Sequence, residues 1–206
     1  MIHHTGWLHR TLFPSLLWRM PGRKIYLTFD DGPHSAATPA VLDVLKSHGI
    51  HATFFLSGMN IPEREQIVKR IITEGHSIGI HAFNHSRTLA FSKEQTMKEI
   101  RQTEALLAPF VLTKPRLFRP PFGFFSWNTI AAAKESGYVL VMWSCLTGDF
   151  SSLSDHDVRD IALQKIGPGS ILVFHDNDLT QMKIADILND VIPKIRSLGF
   201  DFGAIR

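Results

Sequence analysis

From Lys24 onward, short apolar runs alternate with stretches of helical period, and this alternation limits the folds open to the 206-residue chain more than any other feature. The strand-like runs are KIYLTFD, ATFFLS, HSIGIH, LFRPP, YVLVMWS, SILVFHD and a C-terminal DFGAIR. Helices are expected near Thr38 to Ser47, Pro62 to Glu74, Lys93 to Leu107, Trp127 to Glu135, Asp155 to Lys165 and Ile184 to Ser197. Strands this apolar must be buried on both faces. Strand and helix in strict alternation then give a mostly parallel α/β sheet of about seven strands with right-handed crossovers, doubly wound or closed as a barrel. No linker, low-complexity tract or repeat interrupts the pattern, so one domain over 24–206 is expected, preceded by a separate segment, 1–23.

Composition bears on what such a domain does. With 44% hydrophobic and 20% charged residues the chain can build a core, and its Lys and Arg residues are scattered rather than clustered, which argues against nucleic acid as a partner. Cys145 is the single cysteine, so an intrachain disulfide and a multi-cysteine zinc site are excluded; its run VMWSC marks it as a buried structural thiol. Segment 1–23 carries an apolar patch from Leu12 to Trp18, interrupted by Pro14, with no small-residue cleavage site and too little length to span a bilayer. Its Trp7, Leu8, Leu12, Phe13, Leu16, Leu17 and Trp18 are expected to cover one end of the barrel; weak association with a membrane surface is the other use open to them. Without a signal peptide the expected location is cytoplasmic, or attached to the envelope through this segment, and a monomer is expected.

Polar residues gather where strands end: Asp30 and Asp31, His81, Arg119, then His175 and Asp176. Parallel α/β sheets place their sites at those carboxyl ends. In TFDDGP, Gly32 and Pro33 turn the chain so that Asp30 and Asp31 can share a rim, one holding a metal and the other taking a proton from water. An isolated Asp-Asp-Gly is more often only a capped turn. In HAFNH, His81 and His85 are four apart and would share a face on a helical turn. With one carboxylate they form a two-His, one-carboxylate set that leaves positions open for water and substrate, and Zn²⁺, Fe²⁺ and other divalent ions all suit it. Arg119, before two prolines, is placed to pair with the base carboxylate; the other reading is an Arg capping a barrel end by salt bridge. SILVFHD delivers His175 as a general acid. Asp149 in GDF is a candidate to fix its tautomer, while Asp176 is expected to cap the following segment.

Taken in order, TFDDGP, HAFNH, RPPFG, GDF and LVFH resemble the polysaccharide deacetylase family with its NodB-homology domain, carbohydrate esterase family 4, across residues 28 to 175. The resemblance implies a distorted (β/α)7-type barrel. It also implies Asp30 as base, with Asp31, His81 and His85 holding a metal, usually zinc, with Co²⁺ or Ni²⁺ as substitutes. Arg119 would orient Asp30, and His175, oriented by Asp149, would act as acid. Pro121 and Phe122 would meet the substrate, Phe122 through a backbone N–H in the oxyanion hole, and Leu172 would line the acetyl pocket. The implied activity is removal of N-acetyl groups from N-acetylglucosamine-containing poly- or oligosaccharides of peptidoglycan or chitooligosaccharide type. Three positions depart from the family pattern: Ala82 replaces Ser or Thr, Leu146 an aspartate and Phe150 a tryptophan. The alternatives are another acyl bond such as an ester, formamide or non-sugar amide; a carbohydrate-binding pseudoenzyme, which the altered fourth motif raises; and, on ligand type alone, a non-haem iron oxygenase, against which the adjacent Asp base and the α/β pattern both count.

Overall fold

The computed structural model describes residues 4–110 and 116–206. Seven strands, β1 (Tyr26–Asp30), β2 (Thr53–Leu56), β3 (Ser77–Ile80), β4 (Leu117–Phe118), β5 (Val139–Leu140), β6 (Cys145–Leu146) and β7 (Ile171–His175), form one sheet in the order β5-β4-β3-β2-β1-β7-β6, and every pairing in it is parallel. The helices are α1 (Trp7–Leu12), α2 (Ala37–Ser47), α3 (Glu65–Thr73), α4 (Lys93–Leu107), α5 (Trp127–Glu135), α6 (Asp155–Leu163) and α7 (Ile184–Ser197). β1 is buried along its whole length between β2 and β7, as the apolar run KIYLTFD requires.

The sheet curls, and one side chain demonstrates it. Arg119, just past β4, donates to Thr28 and Asp30 of β1 and also to the carbonyls of Val141 and Met142 just past β5. In sheet order three strands, β4, β3 and β2, stand between β5 and β1, and only a curved sheet brings both within reach of one guanidinium. The edge strands β5 and β6 are joined by four residues, 141–144, so the two ends of the sheet face each other across a short seam.

The N-terminal segment lies along that seam. Leu17 N–H donates to Leu140 O at 2.9 Å and Leu17 O accepts from Met142 N–H at 2.8 Å, while Thr5 N–H donates to Ser144 O at 3.2 Å. Leu16 and Trp18 are buried, and Phe13 packs edge-on against Phe125. The rest of the expected covering patch does not pack: Trp7, Leu8 and Leu12 are exposed. Residues 1–3 of the segment lie outside the described residues. No helix among the described residues is long and apolar enough to cross a membrane.

Two strand expectations need correction. YVLVMWS is not one strand; it breaks between β5 and β6, where the chain crosses from one edge of the sheet to the other. DFGAIR is not a strand, because β1 already has β2 on one side and β7 on the other; the tail makes a single bridge, Phe202 to Ile25, just before β1 begins. LFRPP shortens to Leu117–Phe118, since Pro120 and Pro121 have no N–H to continue the ladder. Helix α3 starts at Glu65 because a turn closes first, Arg64 N–H to Ile61 O, and α6 stops at Leu163, ahead of Lys165 at φ +56°.

Candidate active site

The carboxyl ends of β1, β3, β4 and β7 open on one cleft of about 410 Å³. Asp30, Asp31, His81, His85, Phe122 and His175 all line it. Three non-glycine residues here take left-handed backbone conformations, Asp31 at φ +80°, Ala82 at +64° and Phe122 at +59°. Such conformations are costly and collect at functional sites.

Asp30 ends β1, and its carboxylate is buried. Arg119, fully buried behind it, donates from Nη1 at 2.7 Å and lies over the Phe55 ring at 4.1 Å. Asp31 follows in the turn. Asn60 Nδ2 donates to its carbonyl at 2.8 Å, and Asn177 Nδ2 donates to its Oδ2 at 2.7 Å, which aims Oδ1 at the two histidines. Burial raises the Asp31 pKa, but the contact from His85 and the charges of His81, His175 and His85 outweigh it and hold the carboxyl well below the usual range.

The nearest ligand atoms of Asp31, His81 and His85 all lie within 4.8 Å of one another. Nε2 of His85 stands 3.1 Å and Nε2 of His81 3.5 Å from Asp31 Oδ1, yet that buried oxygen accepts no well-formed hydrogen bond among the described residues. The reason lies one bond further back. His81 Nδ1 faces the carbonyl of Arg119 at 2.9 Å, and since a carbonyl only accepts, Nδ1 carries the proton and Nε2 is a bare lone pair in the neutral ring. Burial lowers the His81 pKa and favours that neutral form. A lone pair facing a carboxylate oxygen is the environment a divalent cation fits.

The imidazoles meet by a different route from the helical turn that a spacing of four suggests. Residues 81–86 form a loop, pinned by the buried Glu99 of α4, whose Oε2 accepts from the N–H groups of Phe83 at 2.9 Å and Asn84 at 2.6 Å. Ala82 tolerates its left-handed conformation inside that loop and gives its carbonyl to Gly58 N–H at 2.9 Å.

On the other side of the cleft His175 ends β7. Both oxygens of the fully buried Asp149 hold it, Oδ1 at 2.8 Å from ring Nδ1 and Oδ2 at 2.7 Å from the backbone N–H. Burial works to lower the His175 pKa, but the charge and hydrogen bond of Asp149, then the charges of Asp31 and Asp30, push it up to about 9. That shift favours the imidazolium form, and with Nδ1 bonded to Asp149 the ring has Nε2 left for the cleft. Leu146 and Phe150 both line the cleft, Phe150 edge-on to His175 at 4.6 Å between ring centres.

Three expectations change here. Leu172 is fully buried and does not line the cleft, because alternation along β7 puts it on the opposite face from His175. Pro121 is buried and is not among the residues that line the cleft. Asp176 does not cap the next segment; its side chain turns back beneath the Asp30–Asp31 turn, accepting from Gly32 N–H at 3.1 Å and from the Thr38 hydroxyl. Cys145 is buried, and burial pushes its thiol up to about 12, as a structural thiol requires. Asn177, Glu99 and Asn60 were not singled out from sequence; each acts on the site through space.

The profile of the family described as polysaccharide deacetylase matches residues 19–141. The chain is similar to a peptidoglycan-N-acetylglucosamine deacetylase of Bacillus cereus, 34% identical over 180 residues, an alignment covering 87% of this chain and 66% of the relative. The chain thus spans about two thirds of that relative's length. A solved peptidoglycan N-acetylglucosamine deacetylase, in complex with 4-naphthalen-1-yl-N-oxidanyl-benzamide, superposes with a TM-score of 0.88 at 32% identity, covering 97% of this chain and 95% of that one. A pseudoenzyme of carbohydrate esterase family 4 from Bacillus anthracis superposes with a TM-score of 0.83 at 25% identity, covering 93% and 68%.

Proposed function

This chain belongs to the polysaccharide deacetylase family, and from that premise we propose that it is a metal-dependent hydrolase removing N-acetyl groups from N-acetylglucosamine-containing poly- or oligosaccharides. Asp31, His81 and His85 would hold the metal, with Zn²⁺ expected and Co²⁺ or Ni²⁺ compatible with a set of two nitrogens and one oxygen. When bound, the ion supplies Lewis acidity, making water a better nucleophile and polarising the acetamide carbonyl.

The remaining chemistry falls to the chain's own groups. Asp30, with the Arg119 guanidinium against one oxygen, accepts a proton from the attacking water. Phe122, on the cleft wall, is assigned the backbone N–H that steadies the developing oxyanion. His175, held as an imidazolium by Asp149, gives its proton to the departing nitrogen, so that acetate and a free amine leave.

The fold does not decide turnover, since the Bacillus anthracis pseudoenzyme shares it. The observation that carries this reading is the unpaired Asp31 Oδ1 facing two imidazole nitrogens, beside a second carboxylate that has its own buried counter-charge. The test is acetate release from N-acetylglucosamine oligomers and peptidoglycan fragments by metal-stripped protein, with and without Zn²⁺, alongside Asp30→Asn. Release that needs both metal and Asp30 is expected; no release from any acetylated sugar despite bound metal would refute the reading.

A further inference from the structure

The ionisable groups lining the cleft answer one another, with one exception. Asp30 has Arg119 at 2.7 Å, His175 has Asp149 at 2.8 Å, and Asp31 faces His81 and His85. Arg87 also lines the cleft, is solvent-exposed, and forms no ion pair among the described residues. Its guanidinium carbon lies 4.5 Å from the centre of the Phe122 ring, and that ring lies 4.2 Å from the centre of the His85 ring. The stack therefore sets a fixed positive charge one aromatic ring away from a candidate metal ligand. A guanidinium stacked on a ring keeps its N–H edges free, and those edges match a carboxylate in two-point contact. Leu146, Phe150 and Leu179 add apolar lining that has no donor for an anion.

We propose that Arg87 makes the cleft selective for N-acetylated sugars carrying a carboxylate, on the acetylated residue or on its neighbour, over neutral oligomers of the same length. The proposal rests on the deacetylase reading and names the substrate class for it. Arg87 adds binding to a substituent away from the reacting carbonyl, so its effect belongs in KM more than in kcat. Its partial exposure makes the effect weaken as salt rises.

The test uses one disaccharide in two forms, N-acetylglucosamine linked to N-acetylmuramic acid with its ether-linked carboxylate free, and the methyl ester of that acid. Wild type is expected to favour the free acid by about three- to tenfold in kcat/KM, as an exposed charged contact in a cleft allows. Arg87→Gln is expected to bring the ratio to about one through KM, and Arg87→Lys to restore part of it. Mass analysis of the product shows which sugar lost its acetyl group and so which position bears the recognised carboxylate. Equal rates on acid and ester in wild type, or a preference that survives Arg87→Gln, overturns the proposal. If neither form releases acetate while N-acetylglucosamine oligomers do, the deacetylase reading stands and the proposal falls; if no acetylated sugar does, the deacetylase reading fails, and calorimetric titration of both forms into wild type and Arg87→Gln decides the selectivity separately, with the same ratios expected in Kd.

Discussion

Arg119→Met is the substitution whose cost follows most directly from the structure. The guanidinium is fully buried and donates four hydrogen bonds, two from Nη1 to Asp30 and Thr28 and one each from Nε and Nη2 to the carbonyls of Val141 and Met142. Methionine keeps much of the volume over Phe55 but none of the donors. Asp30 is then a carboxylate with 3% of its surface in water and no counter-charge. Breaking a buried pair in this way costs about 3–5 kcal/mol, a large share of the roughly 5–15 kcal/mol that holds a domain together. Part of that cost is the stranded charge and part the stranded carbonyls, and a second substitution separates the two. In Arg119→Met with Asp30→Asn the charge is gone while the carbonyls stay unpaired. The double variant is therefore expected to be less destabilised than the two single changes summed, by about 2 kcal/mol. Urea unfolding followed by tryptophan fluorescence measures all four corners of the cycle. A cost below about 1 kcal/mol for Arg119→Met, or additivity within about 0.5 kcal/mol, would show that the pair does not hold Asp30 as described.

Three further outcomes are expected. His175, pushed up to about 9, must be protonated to act as an acid, so kcat/KM holds through neutral pH and falls above about pH 9; Asp149→Asn moves that upper limb to lower pH and cuts kcat by about 10²-fold or more, and an unmoved limb refutes the pairing. The same shift bears on stability: a histidine whose pKa is raised on folding stabilises the fold below its unfolded value near 6.5 and loses that contribution as pH climbs to about 9. Zn²⁺ at about 100 times its Kd is expected to stabilise the metal-stripped protein by about 2.7 kcal/mol, read as a higher Tm, and His81→Gln is expected to abolish most of that rise without catalysis entering the measurement. Gly32→Ala places a Cβ against the Asp176 carboxylate, which Gly32 N–H and Thr38 fix in place; a loss of about 1–3 kcal/mol is expected, and a neutral result would show that the Asp30–Asp31 turn has more room than described.

The parts of the molecule legible in the sequence are those governed by local rules. The bounds of α4, α5 and α7 follow from period, and in α4 and α5 the structure adds a cap, Ser92 and Ser126 accepting from N–H groups in the first turns. Asp30, Asp31, His81, His85, Arg119, His175 and Asp149 come from runs at strand ends, and the sheet brings them together at one rim. What could not be read from the sequence lies between distant segments. Nothing near Glu99 marks it as the brace of a loop more than ten residues upstream; on α4 it reads as an ordinary charged helix position. Asn177 meets Asp31 only because β7 lies beside β1. The β5–β6 break is invisible in YVLVMWS because Val141, Met142 and Trp143, which lie in the connection, are as apolar as β5 itself.

The seam has a consequence for how the chain must fold. Strands β5 and β6 would each present unpaired N–H and C=O groups until residues 4–20 lie against them. Those residues are made before their partners at 140–145 and 169–170, which come more than a hundred positions later. Closure is therefore a late event with a high loop-entropy cost, and until it happens the two edges are open to pairing with another molecule. The N-terminal strap thus works as a guard against aggregation as well as a wall of the barrel. Its loss is expected to show first as poor refolding yield, with damage to the cleft coming second.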